Sequence, residues 1–346
     1  MTATAATPRV PADSRGPRAS RVTRVTGSPV LRLVVKRLLM AIPIMLGVTI
    51  LTFWVLSLIP GNAAQQLLGP EATPEDIALL EQQLGLDKPG VVRYLEWLQG
   101  AVTGDLGSSL VSRQPVSDIL AQRLPVTGEL VVLAFVVSLA LAIPVALLAA
   151  HKPGGIMDRI SMVVSTLGLS VANYVLALLL VLVFAVTLGW LPAIGFVPLE
   201  DGLWPNLRAM ILPSAAIGLP LFCFYTRFLR GDLVDQMQQE EYVTTARAKG
   251  VGSWSVLIKH AFRNSSFGLI TVVGLNLGAL IGGTVIIEQI FALPGIGQML
   301  LQAINTRDFV VVQAAVVIFA LVAVLANLVV DLLYAVLDPR IRYGSH

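Results

Sequence analysis

Apolar residues in this chain fall in long unbroken runs, not in the one-sided or alternating patterns of a water-soluble fold. A bilayer crossing needs about 20 mostly apolar residues in helical form. Runs of that length cover residues 33–60, 128–150, 160–188, 209–228, 267–290 and 310–336. The expected fold is therefore an all-α polytopic membrane protein with six transmembrane helices. The third run is long enough to tilt or to break near Ser170 to Asn173, and Pro213 and Pro220 interrupt the fourth.

The polar stretches between these runs carry their own helical signals. In the segment 61–127, Thr73-Pro74-Glu75-Asp76 offers an N-cap, a proline at the first helical position and acids in the first turn. Pro89 to Gly100 reads as an amphipathic helix, Gly104-Asp105-Leu106-Gly107 as a turn, and Pro115 to Leu124 as a third short helix. A unit of this size cannot build a large core of its own, so it is expected to lie on the outer membrane surface and lean on the spans. Residues 231–266 hold a second polar stretch, Gln239 to Gly250. Its acids precede its bases and Gly250 follows, the order that suits a short helix with its dipole and its left-handed stop. Two further loops hold Trp190, Pro192, Pro198, Trp204 and Pro205, and Leu293-Pro294-Gly295-Ile296-Gly297.

Composition agrees with the pattern. Of 346 residues 55% are hydrophobic and 13% charged, whereas a soluble domain carries roughly 25% charged residues. The pI of about 9.2 does not point to nucleic acid, because the bases cluster beside apolar spans. Most Lys and Arg fall in the N-terminal arm, the His151–Arg159 loop, the Arg227–Arg263 loop and the C-terminus. The positive-inside rule then puts both termini and the 231–266 loop in the cytoplasm. Residues 1–32 have too little apolar surface to fold and are expected to form a disordered basic arm. The first apolar run is too long for a secretory signal core and ends in Ile59-Pro60-Gly61, so it reads as a retained helix. The core membrane region is expected over 128–340. The single Cys223 lies in an apolar run and supports no disulfide framework.

Catalytic chemistry is hard to place. No Gly-Lys dipeptide occurs, so the phosphate loop of an ATPase is absent. His151, His260 and His346 all map to cytoplasmic segments, and no His/Cys/carboxylate cluster has metal-ligand spacing. The expectation is a protein that is not an enzyme by itself and binds no metal. Within the spans, Asn173, Asn276 and Asn327 are the clearest polar residues, with Glu129 and Glu288 near outer ends and Asp331 near an inner end. All three acids are expected close to the interfaces, where solvation is cheap. Gly274, Gly278 and Gly282 recur every four residues, the small-xxx-small pattern that lets helices approach closely. Asn276 lies about 200° round the helix from Gly274 and points to a different neighbour.

Thr245-Ala246-Arg247-Ala248-Lys249-Gly250 followed by Lys259-His260-Ala261-Phe262-Arg263-Asn264 resembles the cytoplasmic signature loop of ABC importer permeases. The similarity is to the B-type membrane-spanning permease subunit of the dipeptide/oligopeptide (peptide/nickel-type) importers. Other pieces resemble that family in the same order: Ile59-Pro60-Gly61, Gly104-Asp105-Leu106-Gly107, Arg123-Leu124-Pro125 with Glu129-Leu130, Leu188-Gly189-Trp190-Leu191-Pro192, Glu288 with Phe291 and Pro294-Gly295-Ile296-Gly297, Asp331-Leu332-Leu333-Tyr334 and Leu337-Asp338-Pro339-Arg340. The chain departs from the general signature in having Thr244-Thr245-Ala246 where it begins Glu-Ala-Ala and Arg263 where it has a later proline. It also has Ala172-Asn173-Tyr174 where the family tends to have a proline, which argues against a sharp break there.

The resemblance implies a type I ABC importer permease fold in a bacterial plasma (inner) membrane. It implies a coupling helix, Glu241 with Thr244, Thr245, Ala246, Arg247, Ala248, Lys249 and Gly250, seated in a cleft of one of one or two ATPase subunits. ATP and magnesium would sit on those subunits, with no cofactor on this chain. A second homologous permease would complete the path, with Gly274, Asn276, Gly278, Gly282 and Glu288 as packing or pathway positions. An extracytoplasmic binding protein would deliver di- or oligopeptides, meeting Trp190, Pro192 and Trp204. Nickel, haem, glutathione or another small solute are alternative cargoes, and a stand-alone channel or secondary carrier is the alternative architecture.

Overall fold

The computed structural model describes residues 29–58, 71–83 and 85–337, with isolated positions 65, 68 and 69. Residues 1–28 of the basic arm, Ile59-Pro60-Gly61 and Asp338-Pro339-Arg340 lie outside the described residues. Among the described residues the chain is helical, with a lone β-bridge between Ser108 and Pro115. The helices are α1 (Pro29–Leu58), α2 (Pro74–Gln83), α3 (Gly90–Thr103), α4 (Val116–His151), α5 (Ile156–Ser170), α6 (Asn173–Leu180), α7 (Leu203–Gln239), α8 (Glu241–Ala248), α9 (Ser253–Val256), α10 (Phe262–Phe291), α11 (Ile296–Asn305) and α12 (Phe309–Leu337). Four helices are long and apolar enough to cross a membrane, or up to six if each of two bent pairs is one span.

Three expectations change. The helix expected over Pro115 to Leu124 and the span at 128–150 are one continuous element, α4, with Pro125 and Pro144 inside it. The proline costs one backbone bond, which a helix packed on both flanks tolerates. The third span does break, without a proline. Val171 (φ −95°, ψ 128°) and Ala172 (φ −67°, ψ 142°) are both extended, and the helical segments either side diverge by 104°. The loop at Pro294 is brief: Gly295 leads directly into α11, whose buried Ile296, Met299 and Ala303 make an amphipathic face. No helix is expected there from the apolar pattern, because α11 is short and lies between two long apolar runs.

Packing follows small residues. Ala134, Ala142, Ala146 and Ala150 of α4 are fully or almost fully buried in the clusters that hold α7 residues Ile217, Tyr225, Leu229 and Leu233. A Cβ on Gly218 would stand 2.9 Å from the carbonyl oxygen of Ala134, so backbone meets backbone there. Gly274 plays the same part between α10 and α12, where a Cβ would collide with Val330. Gly278 is looser, with Ala323 at 3.8 Å, and Gly282 faces open space. The packing role of the glycine series is therefore concentrated at its first member.

Glu288 departs furthest from expectation. It is not solvated at an interface but has 0% exposure. Thr127 of α4 donates its hydroxyl to Oε1 at 2.7 Å, and the N–H of Gln298 donates to Oε2 at 3.0 Å. The N–H of Ile296 donates in turn to the Thr127 hydroxyl at 2.9 Å. A Cβ on Gly295 would collide with the Glu288 carboxylate, and one on Gly297 would stand 2.6 Å from Cα of Val285. Only glycines admit the chain so close to the carboxylate. The Pro-Gly-Ile-Gly turn is thus a cradle that joins α4, α10 and α11 around one buried carboxyl group.

Gly295→Ala should cost about 1–3 kcal/mol, the usual penalty for overpacking a filled interior. Gly282→Ala should be nearly silent. The check is the thermal unfolding midpoint of each purified variant in detergent; equal midpoints for the two would contradict the cradle.

Candidate coupling site

The polar 231–266 stretch is an extension of the bundle. α7 continues past its apolar part to Gln239, Glu240 turns extended (φ −87°, ψ 128°), and α8 runs from Glu241 to Ala248. Glu241 stands in the first turn and Arg247 in the last, as the helix dipole favours. Gly250 adopts φ +79° and its N–H closes on the Arg247 carbonyl at 2.9 Å, while the Val251 N–H reaches the Ala246 carbonyl at 3.2 Å. That is the left-handed stop which glycine makes cheap.

One face of α8 is locked down. Val243 and Ala246, three residues apart, are buried in a cluster with Leu233, Val234 and Met237 of α7 and with Val256 and Leu257. Tyr242 donates to Oε1 of Gln236, and Asn264 Nδ2 donates to the Tyr242 hydroxyl at 3.3 Å. Burial raises the Tyr242 pKa above its ordinary value, so the phenol keeps the proton it donates. The opposite face is open: Glu241, Thr244, Thr245, Arg247, Ala248, Lys249 and Gly250 are all exposed. Of the expected contact residues only Ala246 turns inward.

Two contacts tie this block to the earlier helices. The imidazole of His151, at the end of α4, stacks on Trp254 with centroids 4.1 Å apart and planes 17° from parallel. Arg230 of α7 grips Asp158 of α5 through Nε and Nη2, each at 2.7 Å, and the Gly154 N–H adds a third donor at 2.7 Å. Asp158 is 4% exposed. Nothing in the sequence pairs these two charges, since 72 positions separate them. The available signal is a carboxylate and a guanidinium in polar stretches at the same end of the bundle, and many pairings satisfy that. Among the described residues no group of His, Cys, Asp and Glu could hold a metal ion.

The chain's similarity to known proteins bears on this geometry. Residues 142–343 match the family described as binding-protein-dependent transport system inner membrane component, and residues 30–134 match its N-terminal companion. The chain belongs to that family. A Brucella abortus (strain 2308) protein that carries a peptide transport system permease name is 43% identical over 311 residues, covering 90% of this chain and 99% of the relative. The glutathione transport system permease protein of Escherichia coli (strain K12) is 39% identical over 313 residues, covering 90% of this chain and 99% of its own length. The dipeptide transport system permease protein of Alkalihalophilus pseudofirmus is 37% identical over 328 residues, covering 89% and 98%. The protein is thus a multi-pass membrane permease of an ABC importer.

In this permease the remaining expected positions fall in separate places. Trp190 and Trp204 are 61% and 70% exposed at the end of the bundle opposite α8. Pro192, Trp204 and Arg208 line one groove there, and Arg208 Nη2 donates to the Trp190 carbonyl at 2.8 Å, which fixes the loop on α7. Asn276 donates to the Val272 carbonyl of its own helix at 2.8 Å and lies beside the buried Tyr225 hydroxyl. It therefore faces α7, away from Gly274 and its partner Val330.

Arg230→Ala leaves the Asp158 carboxylate buried without its partner and should cost about 3 kcal/mol. The double change Asp158→Leu with Arg230→Met should recover most of that loss. Unfolding midpoints of the two variants test this, and equal destabilisation of both would mean the pair does not hold α5 to α7.

Proposed function

We propose that the permease carries peptides inward, driven by ATP hydrolysis on separate subunits, and that α8 receives the driving motion. The observation that carries this is the division of α8 into a locked face and an open one. Val243 and Ala246 bind it to the bundle, while Thr244, Thr245, Arg247, Ala248 and Lys249 present a small cationic ridge to a partner. A lug so built moves with the helices behind it. On this reading the partner is an ABC ATPase that carries ATP and magnesium, and this chain performs no catalysis. Both termini and α8 are cytoplasmic, and the membrane is the bacterial inner membrane.

A second homologous permease pairs with this one to form the path, and an extracytoplasmic binding protein docks on the opposite end. The exposed Trp190 and Trp204, stiffened by Pro192 and the Arg208 bond, suit that contact. The peptide assignment draws on relatives named for peptide, dipeptide and glutathione transport. Glutathione is itself a tripeptide, so these names share one chemical class of cargo.

In the assembled transporter reconstituted in liposomes, Arg247→Glu with Lys249→Glu should lower substrate-stimulated ATP hydrolysis and peptide uptake by at least about tenfold, with membrane insertion intact. Loss of two charge-assisted contacts is worth on the order of 3 kcal/mol. Undiminished stimulated hydrolysis would remove α8 from the coupling role. Trp204→Ala with Trp190→Ala should instead weaken binding-protein docking and leave basal hydrolysis unchanged.

A further inference from the structure

The third span is interrupted inside the membrane. A Cβ on Gly168 of α5 would collide with the Cys223 Sγ of α7, so these two positions lie level with each other. Counted from the Asp158–Arg230 pair at about 1.5 Å per residue, Gly168 is roughly 15 Å along α5 and Cys223 roughly 10 Å along α7. The extended pair Val171 and Ala172 follows at once. In hydrocarbon about 30 Å thick, the break is therefore well inside the apolar layer.

Backbone groups at the break are unpaired. Among the described residues, the N–H groups of Asn173, Tyr174 and Val175 have no acceptor, and the carbonyls of Gly168, Leu169 and Ser170 have no donor. Ser170, Ala172 and Tyr174 are exposed, so the rest of the described chain does not cover this stretch. Thr166 and Ser170, one turn apart, are exposed as well. Their hydroxyls donate within α5 at 2.8 and 2.9 Å and keep oxygen lone pairs to accept with.

Lipid cannot meet these groups. Non-helical backbone at membrane depth is tolerated only against protein or along a water-filled cavity. Close helix contacts in this chain are made on small residues, Gly218 against Ala134 and Gly274 against Val330. The surface round the break instead carries Leu167, Leu169 and Tyr174, which are 64%, 41% and 50% exposed and too bulky for such an approach. A wet passage is the surrounding that fits.

The chemistry of the stretch narrows its occupant. No charged residue and no histidine falls between Arg159 and Glu200. A site without charge has no means of selecting peptide termini or charged side chains. What it offers is free C=O on one side of an extended dipeptide and free N–H on the other, the complement of a second extended backbone. We infer that the break at Val171–Ala172 lines the transport path and binds the main-chain amides of a passing peptide, whatever its side chains. This assignment rests on the peptide reading of the cargo. Hydrogen bonds between neutral groups are individually modest, so the peptide can leave again.

The test uses the assembled transporter in liposomes, with Cys223→Ala in the permease so that one introduced thiol reports. Ser170→Cys should react with a charged, water-soluble methanethiosulfonate at least about tenfold faster than Leu51→Cys, an exposed apolar position on α1, because the reactive thiolate needs water. With binding protein present and the complex arrested by vanadate, trialanine at roughly ten times its half-saturating concentration should slow that labelling about tenfold. Trialanine N-methylated at its amides, compared at equal occupancy of the binding protein, should protect several-fold less. Thr166→Cys serves if Ser170→Cys lowers the unfolding midpoint. Labelling no faster than at Leu51, or equal protection by both peptides, would overturn the site. Uptake of labelled trialanine by the unmodified transporter is read in parallel. Uptake without protection removes this site alone, whereas absence of uptake removes the peptide reading and the site with it.

Discussion

The grip of Arg230 on Asp158 is the contact on which the α8 end of the bundle depends. A carboxylate at 4% exposure is tolerable only with fixed donors around it, and here the guanidinium supplies two and the Gly154 N–H a third. The bond joins α5 to the stretch of α7 just ahead of α8. His151 on Trp254 closes the other side, between the end of α4 and the start of the return into the bundle. The loops around α8 are thereby converted into a block, and the block is continuous with the two most closely packed helices, α4 and α7.

The far end is fixed by the same physics with different partners. Glu288 has no cation beside it; a hydroxyl and backbone N–H groups at the start of α11 hold it, and glycine at 295 and 297 leaves room for nothing else. Between the two ends lies hydrocarbon, where small residues permit backbone contact and polar groups are few. Buried, hydrogen-bonded carboxyl groups therefore appear where helices must be joined in a defined register, and apolar packing serves wherever close approach suffices.

The broad plan was legible in the sequence because hydropathy reports the bilayer directly: apolar run length found the spans and turn chemistry found Thr73, Gly104 and Gly250. The Thr73 hydroxyl accepts the Asp76 N–H at 3.2 Å and donates back to its carboxylate, as the cap pattern predicts. What escaped was whatever depends on residues far apart in the chain. Glu288 looked like an interfacial acid because nothing local distinguishes it from one; its partner Thr127 lies 161 positions away. The break at Val171 falls where run length allowed one, between Ser170 and Asn173; the missing proline argued against it, yet two extended residues suffice to turn the chain. Ala246 was grouped with the contact surface because a motif has no faces until its helix is packed.

These features divide the permease into stiff and compliant parts. The stiff parts are the block around α8, the α4–α7 pair and the Glu288 cradle. Compliance resides where the helical ladder is irregular: the extended pair at Val171 and Ala172, and the π-helical segments Val181–Thr187 and Leu257–Ala261. The second π segment lies directly between the α8 block and α10, the helix that bears Glu288. A displacement of α8 therefore has two routes into the bundle. Through α7 it is transmitted rigidly, because that helix is unbroken from Leu203 to Gln239. Through α10 it first meets a wide turn that can repitch. If α8 is driven as proposed above, α4 and α7 should therefore move with it, and the wide turn ahead of α10 should take up the difference.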